Sequence, residues 1–296
     1  MARQFPSGTW NNQLIFDGGE LRQLTWHRRD KAAGPDGWRP CEWLLLPNQF
    51  FTCLAALWQA CLSVQQVPQD WLHISCVLVP KPEGGLRPIS VACLAWRIGM
   101  TSILQQLQPW LDSWLPPFLL GGLKHRDARE AHELLHHDIF QALQTHRKFF
   151  GAKLDIRKCF DSVSPLQAIH VWDHLQAPTE VTGLLRFFYS FSARRFESQK
   201  VCAATEFTCS TSILQGCPAS PALLAGLMSV WGFHVLQRAA VSISGYIDDR
   251  TVWALGLVTT DNRGWWMHWF VLSKSIWLWA FLSMQTSVNS SLQENH

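Results

Sequence analysis

The stretch Val241-Ser242-Ile243-Ser244-Gly245-Tyr246-Ile247-Asp248-Asp249-Arg250-Thr251-Val252-Trp253 decides how this chain is read. Val241–Ser244 has the composition of an incoming strand and Thr251–Trp253 that of an outgoing one, so Tyr246-Ile247-Asp248-Asp249 forms the tip of a tight hairpin. Aspartate tolerates the backbone angles that such a turn demands. Two adjacent carboxylates repel each other unless a cation intervenes, and their hard oxygens suit magnesium or manganese. A Tyr-x-Asp-Asp string alone is more often a solvated turn than a metal site. Its weight comes from what precedes it.

The chain has 296 residues, 48% of them hydrophobic and 16% charged, which excludes a disordered chain and allows two domains. Net charge is only 25 − 22 = +3, so any nucleic-acid surface must be local rather than a property of the whole molecule. Basic clusters occur at His27-Arg28-Arg29 with Lys31, at Lys124-His125-Arg126, at Arg147-Lys148 and at Arg194-Arg195; each alone reads as a solvated helix end or loop. Nine cysteines with no CxxC pair point away from a disulfide framework or zinc ribbon and toward buried free thiols inside a cell. The N-terminus shows no apolar signal region, so secretion is not expected. Trp265–Met284 is apolar but interrupted by His268 and Lys274, and at about 20 residues it is marginal for a span. A buried tail is expected there, with no membrane partner.

Composition and punctuation divide the chain into a loosely docked extension over 1–30, a segment over 31–150, a second over 151–256 and a Trp-rich tail over 257–296. Gly34-Pro35-Asp36-Gly37 is a turn cluster, followed by a helical run from Glu42 to Leu62. Ile74–Pro80 reads as a strand, and Lys81–Ser90 turns at Gly84-Gly85 into a second strand carrying Arg87. Val91–Leu115 is helical with a break near Pro109, and Asp127–Thr145 is a helix with its apolar face at Ala131, Leu134, Leu135, Ile139 and Leu143. Ala152–Ile156 is a short strand ending near Asp155. Ser164-Pro165 and Ser220-Pro221 each open a helix as N-cap and first residue. These elements predict an α+β domain. If the Asp155 strand neighbours the hairpin in one antiparallel sheet, Asp155, Asp248 and Asp249 lie at one edge, where they could share two metal ions about 3.5–4 Å apart.

In this order the motifs resemble those of the reverse transcriptases, particularly the non-LTR retrotransposon and group II intron type. The similarity runs from about Lys31 to Trp253. Lys31–Trp38 resembles the family's Gly-Pro-Asp-Gly motif, Lys81–Ser90 its fingers hairpin, and Leu154-Asp155-Ile156 through Phe160-Asp161 its first catalytic motif. Gln215-Gly216-Cys217-Pro218-Ala219-Ser220-Pro221 resembles its template and nucleotide-binding motif, and Tyr246–Asp249 its second catalytic motif. Gly122–Arg126 is a looser match, because the glutamine often found just before it is Leu120 here.

The resemblance implies a right-hand polymerase with fingers over 31–150, a catalytic palm with an antiparallel sheet over 151–256, and no thumb, so that grip on the primer–template duplex is poor and the chain by itself is expected to be weakly active or inactive. Asp155, Asp248 and Asp249 are implied as catalytic residues and ligands of Mg2+ or Mn2+. Lys81 and Arg87 would clamp the triphosphate of a dNTP, Gln215 and Gly216 would lie along the nucleotide, and Phe160 would pack under its sugar. Asp161 is expected to brace the following helix, and Tyr246 to support the hairpin. The reaction implied is attack of a DNA primer 3′-hydroxyl on a dNTP, copied from an RNA template held by charge and shape. Nothing in the sequence sets an oligomeric state.

Three other readings compete. An inactive retroelement remnant that only binds nucleic acid or serves as a structural domain is the main one, because the resemblance fades after Trp253 and Val288-Asn289-Ser290-Ser291 lacks the lysine expected near its asparagine. An RNA-dependent RNA polymerase would place an acid where Phe160 stands. His132-Glu133-Leu134-Leu135-His136 spells the zinc-protease signature, but no third ligand follows at a matching position, and solvated histidines explain it better.

Overall fold

A computed structural model of the chain describes residues 7–256 apart from 83, 123, 125, 157 and 199–200. In chain order the elements are α1 (Gly18–His27), α2 (Pro40–Trp43), α3 (Asn48–Val64), β1 (His73–Pro80), β2 (Leu86–Ala92), α4 (Leu94–Gln106), α5 (Gln108–Trp114), α6 (Ala128–Gln144) and β3 (Lys148–Leu154). There follow α7 (Cys159–Ser162), α8 (Pro165–His174), α9 (Thr179–Phe191), β4 (Ala193–Ser198), β5 (Val201–Cys202), α10 (Ser220–Arg238), β6 (Ser242–Tyr246) and β7 (Asp249–Gly256). Helices and strands are thus mixed, as the α+β expectation requires. They fall into two units, one comprising Pro6–Leu115 with Arg157–Gly226, the other built on Pro116–Ile156 and the chain from Leu227.

In the first unit a sheet in the order β2-β1-β4-β5 carries the β1–β2 hairpin, with Val79 opposite Arg87. Helices pack around Trp58, Trp96, Trp110 and Trp172, all fully buried, and the Trp96 ring stacks flat on Phe188 at 3.6 Å. Burying rings of this size supplies much of the driving force for the fold. The indole N–H groups of these four find acceptors: Trp58 donates to the Ala95 carbonyl, Trp96 to Cys217 Sγ, Trp110 to the Leu175 carbonyl and Trp172 to that of Ala222. The N-terminal extension is not loosely docked over its whole length. α1 packs on α3 and α4 through Leu21 and Leu24, with Asp17 capping it by accepting from the Glu20 amide. Its apolar face is only those two leucines wide, too little for a periodic signal. The helical run from Glu42 is also broken, because Pro47 stands at the N-cap of α3 and the chain turns between α2 and α3.

In the second unit β3, β7 and β6 form an antiparallel sheet in that order. α6 is fastened to it by Asp138, whose carboxylate accepts hydrogen bonds from Trp253 Nε1 at 2.7 Å and Ser242 Oγ at 3.4 Å. Of the apolar face expected for α6, Ala131, Leu135 and Ile139 are half-buried. Ala142 is its buried residue, whereas Leu134 and Leu143, assigned above to the apolar face, are 50% and 69% exposed.

Cys61, Cys76, Cys93 and Cys217 are buried free thiols, Cys159 is buried as well, and burial pushes the Cys93 thiol up to about 12. Among the described residues no helix is long and apolar enough to cross a membrane. Trp265–Met284 and the asparagine at 289 lie outside the described residues.

Candidate active site

The β6–β7 hairpin closes through a two-residue turn, Ile247-Asp248, with Tyr246 paired to Asp249. Ile247 has φ +57°, a left-handed conformation that a β-branched residue adopts only under constraint. On the other side of β7, Leu154 is the last paired residue of β3 and faces Arg250. Asp155 follows Leu154 and Asp249 precedes Arg250, so the register continued by one residue sets Asp155 level with Asp249. The expected neighbouring of the two carboxylate-bearing strands in one antiparallel sheet is therefore observed. Asp155 is exposed, and Asp248 and Asp249 are half-buried.

Lys153, which the sequence did not single out, stands next to this group. Its Nζ is 3.1 Å from Asp249 Oδ1. Side chains alternate along a strand, so Lys153 and Asp155, two residues apart, project from the same face of β3. Among the described residues no three His, Cys, Asp or Glu side chains are grouped so as to hold a metal ion. Asp155, Asp248 and Asp249 are therefore not gathered into one cluster, and the charge next to Asp249 is the Lys153 ammonium. Carboxylate oxygens are the donor type that a hard cation such as Mg2+ or Mn2+ takes.

The residues assigned to the nucleotide belong to the other unit. Arg87 is exposed on β2, and Lys81 lies in the turn, where its amide donates to the Gly85 carbonyl. The turn bearing Gln215 and Gly216 is docked on the same strand: the Gly216 amide donates to the Ser90 carbonyl at 3.0 Å. A Cβ on Gly216 would come 2.3 Å from that Ser90 oxygen, so only glycine allows this approach. Cys217 is held beneath it by a hydrogen bond from Trp96 Nε1. Asp36, from the Gly-Pro-Asp-Gly loop, accepts from the Leu94 amide at 2.7 Å and so caps α4 just beyond β2; burial raises its carboxyl above the usual range. Three motifs scattered over the sequence thus meet along β2 and the start of α4.

Phe160 is half-buried in α7, and its carbonyl accepts from the Ile213 amide. Asp161 does not brace the following helix, which Ser164 caps; it accepts from Ser212 Oγ, and Ser212 in turn accepts from Arg194 at both its Oγ and its carbonyl. Arg194 is 6% exposed, which corrects its assignment to a solvated basic cluster. Arg126 is likewise engaged, donating to the carbonyls of Pro116 and Leu119. Ser220 departs from a plain N-cap, because its buried hydroxyl donates to the Leu214 carbonyl. His132, Glu133 and His136 are exposed on α6, with His132 Nδ1 bonded to the Ala128 carbonyl, as expected for solvated histidines.

Residues 79–261 match the family described as reverse transcriptase (RNA-dependent DNA polymerase), and the chain belongs to that family. A relative of the retrotransposon type is the "Retrovirus-related Pol polyprotein from type-1 retrotransposable element R2" of Nasonia vitripennis, 27% identical over 214 residues. That alignment covers 70% of this chain and 20% of the polyprotein, so the chain spans a fifth of its relative's length. A solved structure described as apo telomerase from Candida Tropicalis truncated from its C-terminal domain is similar at 14% identity and a TM-score of 0.46, over 71% of this chain and 49% of that one.

Proposed function

We propose that this chain is the polymerising core of a retrotransposon-type reverse transcriptase, extending a DNA primer with dNTPs on an RNA template. In this reading residues 31–150 are the fingers, residues 151–256 the palm, and Asp155, Asp248 and Asp249 the ligands of two Mg2+ or Mn2+ ions. The single observation that carries it is the level placement of Asp155 and the Asp248-Asp249 turn in neighbouring strands, within the segment that matches the family.

When bound, such ions stabilise the attacking and leaving oxygens of an in-line phosphoryl displacement. The chain's own residues supply the rest. Asp155, just past the end of β3, and Asp248 and Asp249, at the turn into β7, present the negative charge that would gather the cations. Arg87 and Lys81, on the β1–β2 hairpin, meet the triphosphate oxygens by charge-assisted hydrogen bonds. Gly216, docked against β2, holds the turn that presents Gln215 to the nucleotide, and Phe160 disfavours a ribose 2′-hydroxyl by occupying its space.

The test is incorporation of labelled dNTP on a primed RNA template by the wild type and by Asp248→Asn. The proposal expects incorporation by the wild type and a loss of at least about a hundredfold in the variant. Equal incorporation by both would refute the site. No incorporation by the wild type would refute the activity and favour a nucleic-acid-binding remnant.

A further inference from the structure

Outside the three strands, a stretch without regular secondary structure lies along the free edge of β6 in the same unit. Leu119 forms a parallel bridge with Gly245. The Gly245 amide donates to the Phe118 carbonyl and the Leu120 amide donates to the Gly245 carbonyl, both at 2.8 Å. Gly245 lies two residues before Ile247, so these bonds hold β6 just where it enters its turn. The next residue touches the turn itself. A Cβ on Gly121 would fall 2.3 Å from the Ile247 amide nitrogen and 2.7 Å from both the Tyr246 carbonyl carbon and Ile247 Cγ1. Phe118, Leu119 and Leu120 are all buried. Arg126 fastens the far side, its guanidinium donating to the carbonyls of Pro116 and Leu119.

The consequence falls on Ile247. Its φ of +57° is unfavourable for an isoleucine, and such a conformation persists only where its surroundings over-determine it. The dihedrals of Ile247 aim the next residue, Asp248. We propose that Phe118–Gly121, locked by Arg126, is a positioning brace that holds Ile247 in the left-handed conformation and thereby sets the direction of the Asp248 and Asp249 carboxylates. Arg126 and Gly121 are positioning residues that touch no substrate. The brace also accounts for the loose motif around Leu120, because it works through backbone groups and any apolar side chain can stand there.

The catalytic consequence rests on the polymerase reading above, whereas the mechanical one does not, and the test separates them. Arg126→Met keeps the length of the side chain and removes the fork to the two carbonyls. Asparagine accepts left-handed angles without help, so Ile247→Asn should make the turn independent of the brace. The expected results are a kcat for dNTP incorporation at least about tenfold lower in Arg126→Met with KM for dNTP within about twofold, and recovery to within about threefold of wild type in Arg126→Met combined with Ile247→Asn. A general loss of folding would show as a lowered Tm and would not be repaired by a change at Ile247. Amide hydrogen exchange at Leu120 and Gly245 gives the readout that needs no activity. It should accelerate at least tenfold in Arg126→Met. Unchanged exchange at those two amides, or a kcat loss that Ile247→Asn leaves in place, would overturn the proposal. Faster exchange in a chain whose wild type incorporates no dNTP would leave the brace standing and the polymerase reading refuted.

Discussion

Lys153 Nζ stands 3.1 Å from Asp249 Oδ1, reaching diagonally from its position opposite Thr251 on the neighbouring strand. The diagonal is a natural contact for a long side chain in an antiparallel pair. On the proposed site it puts an ammonium on one of the carboxylates that would hold the divalent ions, so the two would compete for Asp249. Both side chains are well exposed, and such pairs contribute about 0–1 kcal/mol. Lys153→Met should therefore tighten Mn2+ binding by up to about fivefold, read by calorimetric titration. Weaker binding in the variant would show that Lys153 supports the metal site instead of competing for it.

Trp253 and Asp138 make a second checkable pair. The indole N–H of Trp253, foremost, holds the Asp138 carboxyl below the usual range. A carboxylate whose folded value is depressed stabilises the fold above its unfolded value of about 3.9, and that contribution fades as pH falls through the folded value. Trp253→Phe should cost about 1 kcal/mol of unfolding free energy at pH 7. The difference from wild type should shrink steadily below about pH 4. A difference that stays constant down to pH 2 would assign the loss to packing alone.

Gly216 has no room for a methyl group against the Ser90 carbonyl. Gly216→Ala should lower stability by about 1–3 kcal/mol in denaturant unfolding, because β2 is held in its ladder and cannot yield. A change under about 0.5 kcal/mol would mean that the turn shifts freely and that its docking on β2 does not set the place of Gln215.

The parts of this architecture written in local sequence were legible. Two strand-forming runs around a two-residue turn announced the β6–β7 hairpin, Gly84-Gly85 announced β1–β2, and Ser164 does cap α8 by accepting from the Gln167 amide. What escaped depends on partners far along the chain. β4 pairs in parallel with β1, some 120 residues away, so neither strand signals the other. α6 is tied to its sheet by Asp138, which bonds to Ser242 and Trp253 more than 100 residues on, a contact that apolar periodicity does not announce. Arg194 looks like half of a basic surface pair until Ser212 is seen to receive it. The brace at Phe118–Gly121 works through main-chain groups, which every residue type carries. Lys153 was available to a closer look, since it precedes Asp155 by two residues and must share its face.

The most direct measurement is Mn2+ binding followed by electron paramagnetic resonance, with a non-hydrolysable dNTP and a primed RNA template present. If Asp155, Asp248 and Asp249 hold a pair of ions at the spacing usual for two-metal sites, about 3.5–4 Å, the pair would give an exchange-coupled spectrum. The account predicts that spectrum for the wild type and its disappearance in both Asp155→Asn and Asp248→Asn. A wild type that binds Mn2+ no better than the variant carrying both substitutions would contradict it.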